Sequence, residues 1–355
     1  MLFRSKDAGA GILARDDFYR QAGADVCDDV TELWARSDIV LKVKQPIFNE
    51  ALRRGEVELL QPESTLITFL HPAAPGSHAM VRQLAERRIT SFTMDSVPRT
   101  SRAQKMDALT SMSTITGYKA VLMAANLMPR FVPMLATAIG TVKPARILVV
   151  GAGVVGLQAI ATAKRLGGVL TCIDIRPEAR EEARSLGAKI AGFDVPPEMA
   201  QGPGGYARAL PEEWLCQERQ HIAPLIEDSD IAVLSALVPG EQAPVLITRE
   251  MAGRMRAGSV IVDVSVDQGG NCAATEPGAI AVLNHVAVIG VQNIPGSLAQ
   301  HASWLYANNL LHFVENMFKR GPDAIDFEDD IVRATLVTRG GEIVHAGARK
   351  AMGLH

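Results

Sequence analysis

The sequence predicts an α/β fold divided into two domains, and three observations support this prediction. The chain has 355 residues, which is more than one small hydrophobic core usually organises. In the first third, short apolar runs alternate with helical segments. From Ala145 onward, a buried strand, a glycine turn, a helix and a second strand follow one another directly. This alternation is typical of parallel sheets covered by helices.

The composition argues against several classes of protein. The net charge of −3 and the aromatic content of 5% argue against nucleic acid or an anionic membrane surface as a partner. The longest weakly polar stretch, residues 120–142, is interrupted by proline, asparagine and arginine, and no signal-peptide pattern opens the chain. The four cysteines lie far apart and show no zinc-like spacing with histidine. We therefore expect a cytoplasmic protein with reduced thiols, no metal site and no direct membrane insertion.

Apolar runs in the first third predict buried strands, and a long helix follows them. The runs are "DIVLKVKQP" (38–46), "TLITFLHPAA" (65–74) and "SFTMDSV" (91–97), with the helical pattern "GSHAMVRQLAERRIT" before the last. From Met112 to Ile139, an alanine-rich pattern predicts a long helix interrupted at Pro129 and Pro133. A helix of this length could link two domains.

The remainder of the chain predicts a second sheet and a return to the first domain. Further strands are predicted in "AKIAGF" (188–193), "DIAVLSAL" (230–237), "SVIVDVSV" (259–266) and "VAVIGVQN" (286–293). His301 to Phe318 is an amphipathic helix that could return to the first domain, and Gly340–Gly341 marks the turn of a terminal hairpin. We expect residues 1–138 plus 296–355 to form one domain and residues 139–295 the other.

A glycine motif in the second domain predicts a dinucleotide site. Gly151, Gly153 and Gly156 fit G-x-G-x-x-G, directly after a strand and at the start of a helix. The first glycine permits the tight turn, the second lets the backbone approach a pyrophosphate, and the third allows close packing of helix and strand. Asp174 ends the next strand, at the spacing typical of a carboxylate that accepts from the ribose hydroxyls. The motif favours NAD(H) over NADP(H), although Arg176 tempers that preference.

Three ionisable residues follow predicted strands and are candidates for acid–base chemistry. They are Lys44, His71 and Asp267. Because the carboxyl ends of parallel strands face the ligand crevice, these side chains could converge on a substrate carbonyl or amine. The alternative is that they are strand-end residues exposed to water, and the sequence leaves both interpretations open.

A dense polar segment, Pro98 to Thr110, precedes the predicted long helix. It carries Arg99, Thr100, Ser101, Arg102, Gln104, Lys105, Asp107 and Thr110, and no nucleophile. Side chains of this kind suit the orientation of a polar group such as a carboxamide. The alternative is a solvated loop in which Ser101 or Asp107 caps a helix.

Several motifs together resemble one known family. "DSVPRTSRAQKMDALTSMSTITGYKAV", "GAGVVGLQAIATAKRLGG", "IDIRPEAREEARSLGA", "GGYARAL", "ALVPGEQAPVLITREM" and "GSVIVDVSVDQGGNC" occur in this order along most of the chain. They are similar to the NAD(H)-binding component, domain I, of proton-translocating NAD(P) transhydrogenases, in the alanine dehydrogenase/transhydrogenase family.

The resemblance implies a fold, an activity and partners. The fold is two Rossmann-like, doubly wound domains with a nucleotide cleft between them, usually in a homodimer. The first domain is expected to lack the family's N-terminal strand, because "MLFRSKDAGAG" matches a later point of the family pattern. The activity is hydride transfer between NADH and NADP⁺ held on a partner subunit, coupled to proton translocation in a membrane-spanning subunit. The chain would then be cytoplasmic and peripherally associated with the inner membrane through these subunits.

The resemblance also implies site residues. The residues that match the segment holding the nicotinamide and its ribose are Arg99, Gln104, Asp107 and Thr110, with Thr100, Ser101 and Arg102 in the same nucleotide-contacting stretch. The residues that match the other nucleotide contacts are Gly151, Gly153, Val154, Gly156, Asp174, Ile175, Arg176 and Leu237. Gly205 and Tyr206 match a mobile loop that closes over bound nucleotide.

Two alternative functions accompany this interpretation. Lys44, His71 and Asp267 resemble the catalytic set of alanine dehydrogenase more than that of a transhydrogenase. The chain could therefore be an NAD-dependent amino-acid dehydrogenase of the alanine type. A non-catalytic NAD(H)-binding module is the further alternative.

Overall fold

The computed structural model describes residues 2–202, 207–238, 242–321 and 324–354. The chain forms two compact units, one of Met1–Met112 with Ala299–His355 and one of Ser113–Leu298. Each unit contains a largely parallel sheet with helices, so the predicted α/β class is confirmed.

The elements follow in chain order. The strands up to residue 93 are β1 (Leu2–Ser5), β2 (Ala24–Cys27), β3 (Ile39–Leu41), β4 (Phe48–Asn49), β5 (Arg54–Gly55), β6 (Thr65–Thr68) and β7 (Thr90–Thr93). The helices among them are α1 (Asp16–Gln21), α2 (Val30–Ala35), α3 (Glu56–Leu59) and α4 (His78–Glu86). A 3₁₀ turn over Ser101–Met106 then leads into α5 (Ala108–Leu127).

The middle of the chain supplies the larger sheet. Its strands are β8 (Leu135–Thr137), β9 (Gly140–Val142), β10 (Arg146–Val150), β11 (Val169–Ile173), β12 (Lys189–Ile190), β13 (Ile231–Leu234), β14 (Val260–Asp263), β15 (Ile280–Leu283) and β16 (Val286–Ile289). Its helices are α6 (Val154–Arg165), α7 (Pro177–Ser185), α8 (Pro197–Ala200), α9 (Glu212–Glu227) and α10 (Arg249–Gly253). The last elements are α11 (Ala299–Met317), α12 (Asp330–Thr335), β17 (Leu336–Arg339), β18 (Glu342–Ile343) and α13 (Ala346–Ala351).

The first unit is organised by a five-stranded sheet in the order β18-β17-β7-β6-β3. Strands β3, β6 and β7 run parallel, and β17 pairs antiparallel to β7. Strand β6 is buried at every residue, as expected for a parallel strand covered on both faces. In the core of this unit, Phe92 and Phe313 pack edge to face with ring centroids 5.9 Å apart. Strands β1 and β2 form a separate parallel pair.

The second unit contains a seven-stranded sheet in the order β12-β11-β10-β13-β14-β16-β15. Every neighbouring pair is parallel except β15 with β16. The order reverses between β10 and β13, since the chain first adds β11 and β12 on one side and then crosses to the other. In open α/β sheets such a reversal leaves a crevice at the carboxyl ends of the strands, where ligands bind.

The helix that connects the units is shorter than predicted and packs with the second one. It ends at Leu127 because Pro129 disfavours helical backbone at the residue before it. A two-stranded hairpin, β8 with β9, occupies the rest of the predicted helix. A Cβ on Gly117 would lie 2.2 Å from the Val155 carbonyl oxygen, so α5 and α6 are nearly in backbone contact. The first unit boundary therefore lies at 112/113 rather than at the expected 138/139.

Other features of the chain agree with local expectations. Strands β17 and β18 form the predicted hairpin, and Gly340 and Gly341 adopt the positive φ angles, 61° and 97°, that such turns require. All four cysteines are free thiols. Within the described ranges, no helix is both long and apolar enough to cross a bilayer.

Candidate functional site

The glycine turn between β10 and α6 is shaped by close backbone contacts. Gly151 has φ +90°, and a Cβ there would lie 2.8 Å from the Ser235 backbone. A Cβ on Gly156 would lie 1.9 Å from the Gly151 carbonyl oxygen, so α6 packs directly on the turn. A Cβ on Gly153 would meet open space, which leaves room for a ligand against the backbone. These are the roles expected of the three glycines in a dinucleotide turn.

The N-terminus of α6 is suited to an anion. The helix begins at Val154, and in the described structure no side chain caps it. Its first-turn N–H groups and its positive dipole end therefore point at the turn. A phosphate group is the ligand that such a helix end favours.

Asp174 is tied to the glycine turn and to Arg176. Its carboxylate, only 6% exposed, accepts from the Ala152 N–H at 2.7 Å. It also accepts from the Arg176 backbone N–H at 2.8 Å and from the Arg176 guanidinium through Nε at 3.1 Å and Nη2 at 2.9 Å. Arg176 is thus held on the carboxylate rather than extended from it, which the sequence did not reveal. Ile175 packs inward beside Phe193.

Glu218 is a buried acid that sequence reasoning missed. It lies on α9 and is 5% exposed. Burial, followed by the negative charge of Asp174, raises the pKa of Glu218 to about 7, against the lowering effect of Arg219. No motif signals this residue, because helix α9 comes near Asp174 only in the folded unit.

Asn271 fixes the loop that follows β13. Its side-chain oxygen accepts from the Ala236 N–H at 3.0 Å and from the Ser265 hydroxyl at 2.7 Å. Its amide donates to the carbonyls of Ala236 and Pro244, each at 2.8 Å. The half-buried Leu237, a predicted nucleotide contact, follows this clamp directly. Gly205 and Tyr206, the predicted mobile loop, lie outside the described residues.

The three candidates for acid–base chemistry fall into different units. Asp267 is exposed in the second unit, where its carboxylate accepts from the Gln292 amide at 2.7 Å. Lys44 and His71 are exposed in the first unit, after β3 and β6. Their convergence stays a prediction.

His71 is paired with Asp95, a partner that the sequence did not identify. The Asp95 Oδ2 atom accepts from the His71 backbone N–H at 2.8 Å and lies 2.8 Å from the ring Nδ1. Thr93 donates to the other carboxylate oxygen at 2.6 Å, and His71 has φ +48°. The parallel register pairs Thr68 with Thr93, which brings the residues after β6 and β7 together.

The charge of Asp95 is stabilised by these contacts. Burial tends to raise its pKa, but the hydrogen bond and charge of His71 and the hydrogen bond from Thr93 outweigh burial and lower the pKa below its usual value. Because Nδ1 faces the carboxylate, Nε2 is the ring nitrogen left to exchange a proton with a ligand.

The polar segment after β7 is anchored by its apolar residues. Ala103 and Met106 are buried in the core of the first unit, whereas Arg99 and Gln104 are exposed. Asp107 caps α5, because its carboxylate accepts from the Thr110 N–H at 2.8 Å and from the Thr110 hydroxyl at 2.6 Å. The capping interpretation therefore applies to Asp107, while the side chains of Arg99 and Gln104 lie at the surface.

Comparisons with known proteins follow the same division of the chain. Residues 5–116 match the model described as "Alanine dehydrogenase/PNT, N-terminal domain". Residues 120–346 match "Alanine dehydrogenase/PNT, C-terminal domain". The chain belongs to the alanine dehydrogenase/PNT family.

Within the alanine dehydrogenase/PNT family, transhydrogenases are the more similar relatives. A protein of Rhodospirillum rubrum, the first of the parts that make up its NAD(P) transhydrogenase subunit alpha, is 42% identical over 341 residues, covering 95% of this chain and 88% of that protein. Alanine dehydrogenase of Halomonas elongata is 31% identical over 98% of this chain and 87% of that protein. The transhydrogenase structure from Sinorhizobium meliloti superposes with a TM-score of 0.83 at 37% identity, covering 96% and 90% of the two chains. The resemblance predicted from the motifs is confirmed.

Proposed function

We propose that this chain is the NAD(H)-binding component of an NAD(P) transhydrogenase. The observation that carries the proposal is the 42% identity to a transhydrogenase alpha subunit along nearly the whole chain, against 31% to an alanine dehydrogenase. The glycine turn, the uncapped α6 N-terminus and Asp174 fit a dinucleotide. When bound, NADH supplies the hydride, and NADP⁺ on a partner subunit receives it.

The second unit binds the nucleotide in this proposal. The N–H groups at the start of α6 hold the pyrophosphate, and the space beside Gly153 admits it. The Asp174 carboxylate accepts from the hydroxyls of the adenosine ribose. Leu237 packs near the adenine, where its backbone is positioned through Asn271.

The first unit orients the reacting end. Arg99 and Gln104 are exposed donors that suit the nicotinamide carboxamide, while Asp107 and Thr110 suit its ribose. Hydride transfer between two nicotinamides requires orientation, proximity and exclusion of water, and no protein group has to ionise. This chemistry agrees with a segment that contains no nucleophile.

The function implies partner subunits. One subunit holds NADP(H), and a membrane-spanning subunit couples hydride transfer to proton translocation. The chain would associate with the cytoplasmic side of the inner membrane through them.

Transhydrogenation that depends on the partner tests this function. The purified chain, mixed with an NADP(H)-binding subunit from a related transhydrogenase, should reduce an NAD⁺ analogue at the expense of NADPH. Each protein alone should give no reaction. Nucleotide binding without transfer in the mixture would favour the non-catalytic module instead.

The pairing of His71 with Asp95 favours a second candidate, an alanine-type dehydrogenase. A histidine held by a carboxylate can exchange a proton with a bound carbonyl or amine. In that case the chain alone would oxidise alanine with NAD⁺, and His71→Ala would abolish the reaction. The absence of this reaction from the chain alone, together with transfer in the mixture, would exclude it.

A homodimer is also part of the proposal, and the β8–β9 hairpin supports it. Among the described strands this ribbon pairs only with itself, Ile139 at its tip is fully exposed, and Met134 beside it is 62% exposed. Isolated two-stranded hairpins are marginal in water, so a second copy of the chain is expected to cover this one. Ile139→Asp should shift the chain from dimer to monomer in analytical ultracentrifugation, whereas Leu13→Asp, at a position that is 78% exposed, should leave the dimer intact. A dimer that survives Ile139→Asp would remove the hairpin from the interface.

A further inference from the structure

Arg102 connects the polar segment to the C-terminal part of the first unit. Its Nη1 donates to Asp329 Oδ2 at 2.7 Å and to Asn316 Oδ1 at 3.0 Å. Its Nη2 is ion-paired with Asp330. These partners lie more than 200 positions later in the chain. The guanidinium is therefore committed to three protein side chains, although it lies in the predicted nucleotide-contacting stretch.

The acceptor of this contact is rigid. The Asp329 side chain is only 2% exposed, and its Oδ1 caps α12 by accepting from the Ile331 N–H at 2.9 Å and the Val332 N–H at 3.2 Å. Burial opposes ionisation of this carboxyl, but hydrogen bonds from Arg102, Lys319 and Asn316 hold its pKa well below its usual range. Asp329 is thus a charged and fixed attachment point at neutral pH.

A second contact holds the other end of the segment. The Asn309 amide on α11 donates to the Lys105 carbonyl oxygen at 2.9 Å. Between the two contacts, Ala103 enters the core of the first unit, and Gln104 remains exposed. The backbone from Arg102 to Lys105 is therefore fixed at both ends against α11 and α12.

We propose that Arg102 is a positioning residue that fixes the segment carrying Arg99 and Gln104 for hydride transfer, without itself binding the nucleotide. This inference rests on the proposed function. Its physical reason is that oriented donors are effective only when their backbone is already in place, since a displacement of about 1 Å can cost roughly 10²-fold in rate. A bidentate, charge-assisted contact to a buried carboxylate is a strong tether for this purpose.

Lys319 supplies a matched control. Its Nζ contacts the same Asp329 Oδ2 at 2.6 Å, and it also contacts Asp326 at 3.2 Å. Its side chain is 43% exposed against 46% for Arg102. Lys319→Gln and Arg102→Gln each remove one positive charge from Asp329, but only the second variant releases the polar segment.

The test measures the full chain with its partner subunit. Arg102→Gln should lower kcat for transhydrogenation about tenfold, with the KM for NADH changed less than about threefold. Lys319→Gln should leave both near wild type, and Arg102→Lys should restore part of kcat through a single ion pair. Equal losses in Arg102→Gln and Lys319→Gln would overturn the proposal, as would a raised KM with unchanged kcat, because that result indicates a nucleotide contact.

Amide hydrogen exchange separates this inference from the proposed function. Exchange across residues 99–107 should accelerate in Arg102→Gln and not in Lys319→Gln, whatever reaction the chain catalyses. If the wild-type mixture shows no transhydrogenation, the proposed function fails while the exchange result still decides the role of Arg102. Unchanged exchange in Arg102→Gln would refute the positioning role even if the wild type is fully active.

Discussion

Replacing Arg99 with alanine should lower the rate of transhydrogenation by about 10²-fold, which is the size expected when an orienting donor is lost from a hydride-transfer site. Arg99 is exposed on a segment whose buried residues are Ala103 and Met106, so the fold does not depend on it. Surface substitutions usually change the free energy of unfolding by no more than about 0.5 kcal/mol. The measurement is kcat with saturating NADPH and an NAD⁺ analogue, beside the thermal midpoint of unfolding.

Arg333→Ala is the control for this prediction. Arg333 is an exposed arginine on α12 of the same unit and has no place in the proposed site. It should retain the wild-type rate. A full rate in Arg99→Ala, or an equal loss in Arg333→Ala, would remove Arg99 from the hydride-transfer site.

Replacing Asp174 with asparagine should weaken NADH binding by roughly 1.5–3 kcal/mol, which corresponds to a Kd about tenfold to more than 100-fold higher. The carboxylate can accept from the ribose hydroxyls while it holds the Ala152 N–H, and a single amide oxygen cannot replace both acceptors. The substitution also releases Arg176, whose guanidinium can then reach a 2′-phosphate. The affinity for NADPH should therefore rise relative to that for NADH in isothermal titration calorimetry.

Glu218→Gln is the control for the charge near Asp174. Because the pKa of Glu218 is about 7, its carboxyl is largely protonated at pH 6, and glutamine then changes little. The Kd for NADH at pH 6 should stay close to wild type in this variant. An unchanged Kd in Asp174→Asn, with the folded state intact by circular dichroism, would contradict the assignment of Asp174 to the ribose.

Features that depend on neighbouring residues were predictable from the sequence alone. The turn at Gly151 and the packing at Gly156 follow from steric rules that act within a few positions, so the motif located the candidate nucleotide site. Strand β6 was recognisable because a parallel strand buried on both faces is apolar throughout. The order of the motifs also placed the chain in its family, which the comparisons confirm.

Features that depend on distant residues required the tertiary structure. Nothing near His71 indicates Asp95, because the parallel register of β6 and β7 brings them together. Arg102 and Asp329 are separated by 227 positions, and their contact exists only after α11 and α12 pack beside the polar segment. The unit boundary at 112/113 was missed for the same reason, since the close packing of α5 at Gly117 depends on α6.

The sequence by itself thus determined the turn, the strands and the family, through interactions between near neighbours. The tertiary structure decided the partner of each charged side chain, because burial and charge pairing join segments that the chain keeps far apart.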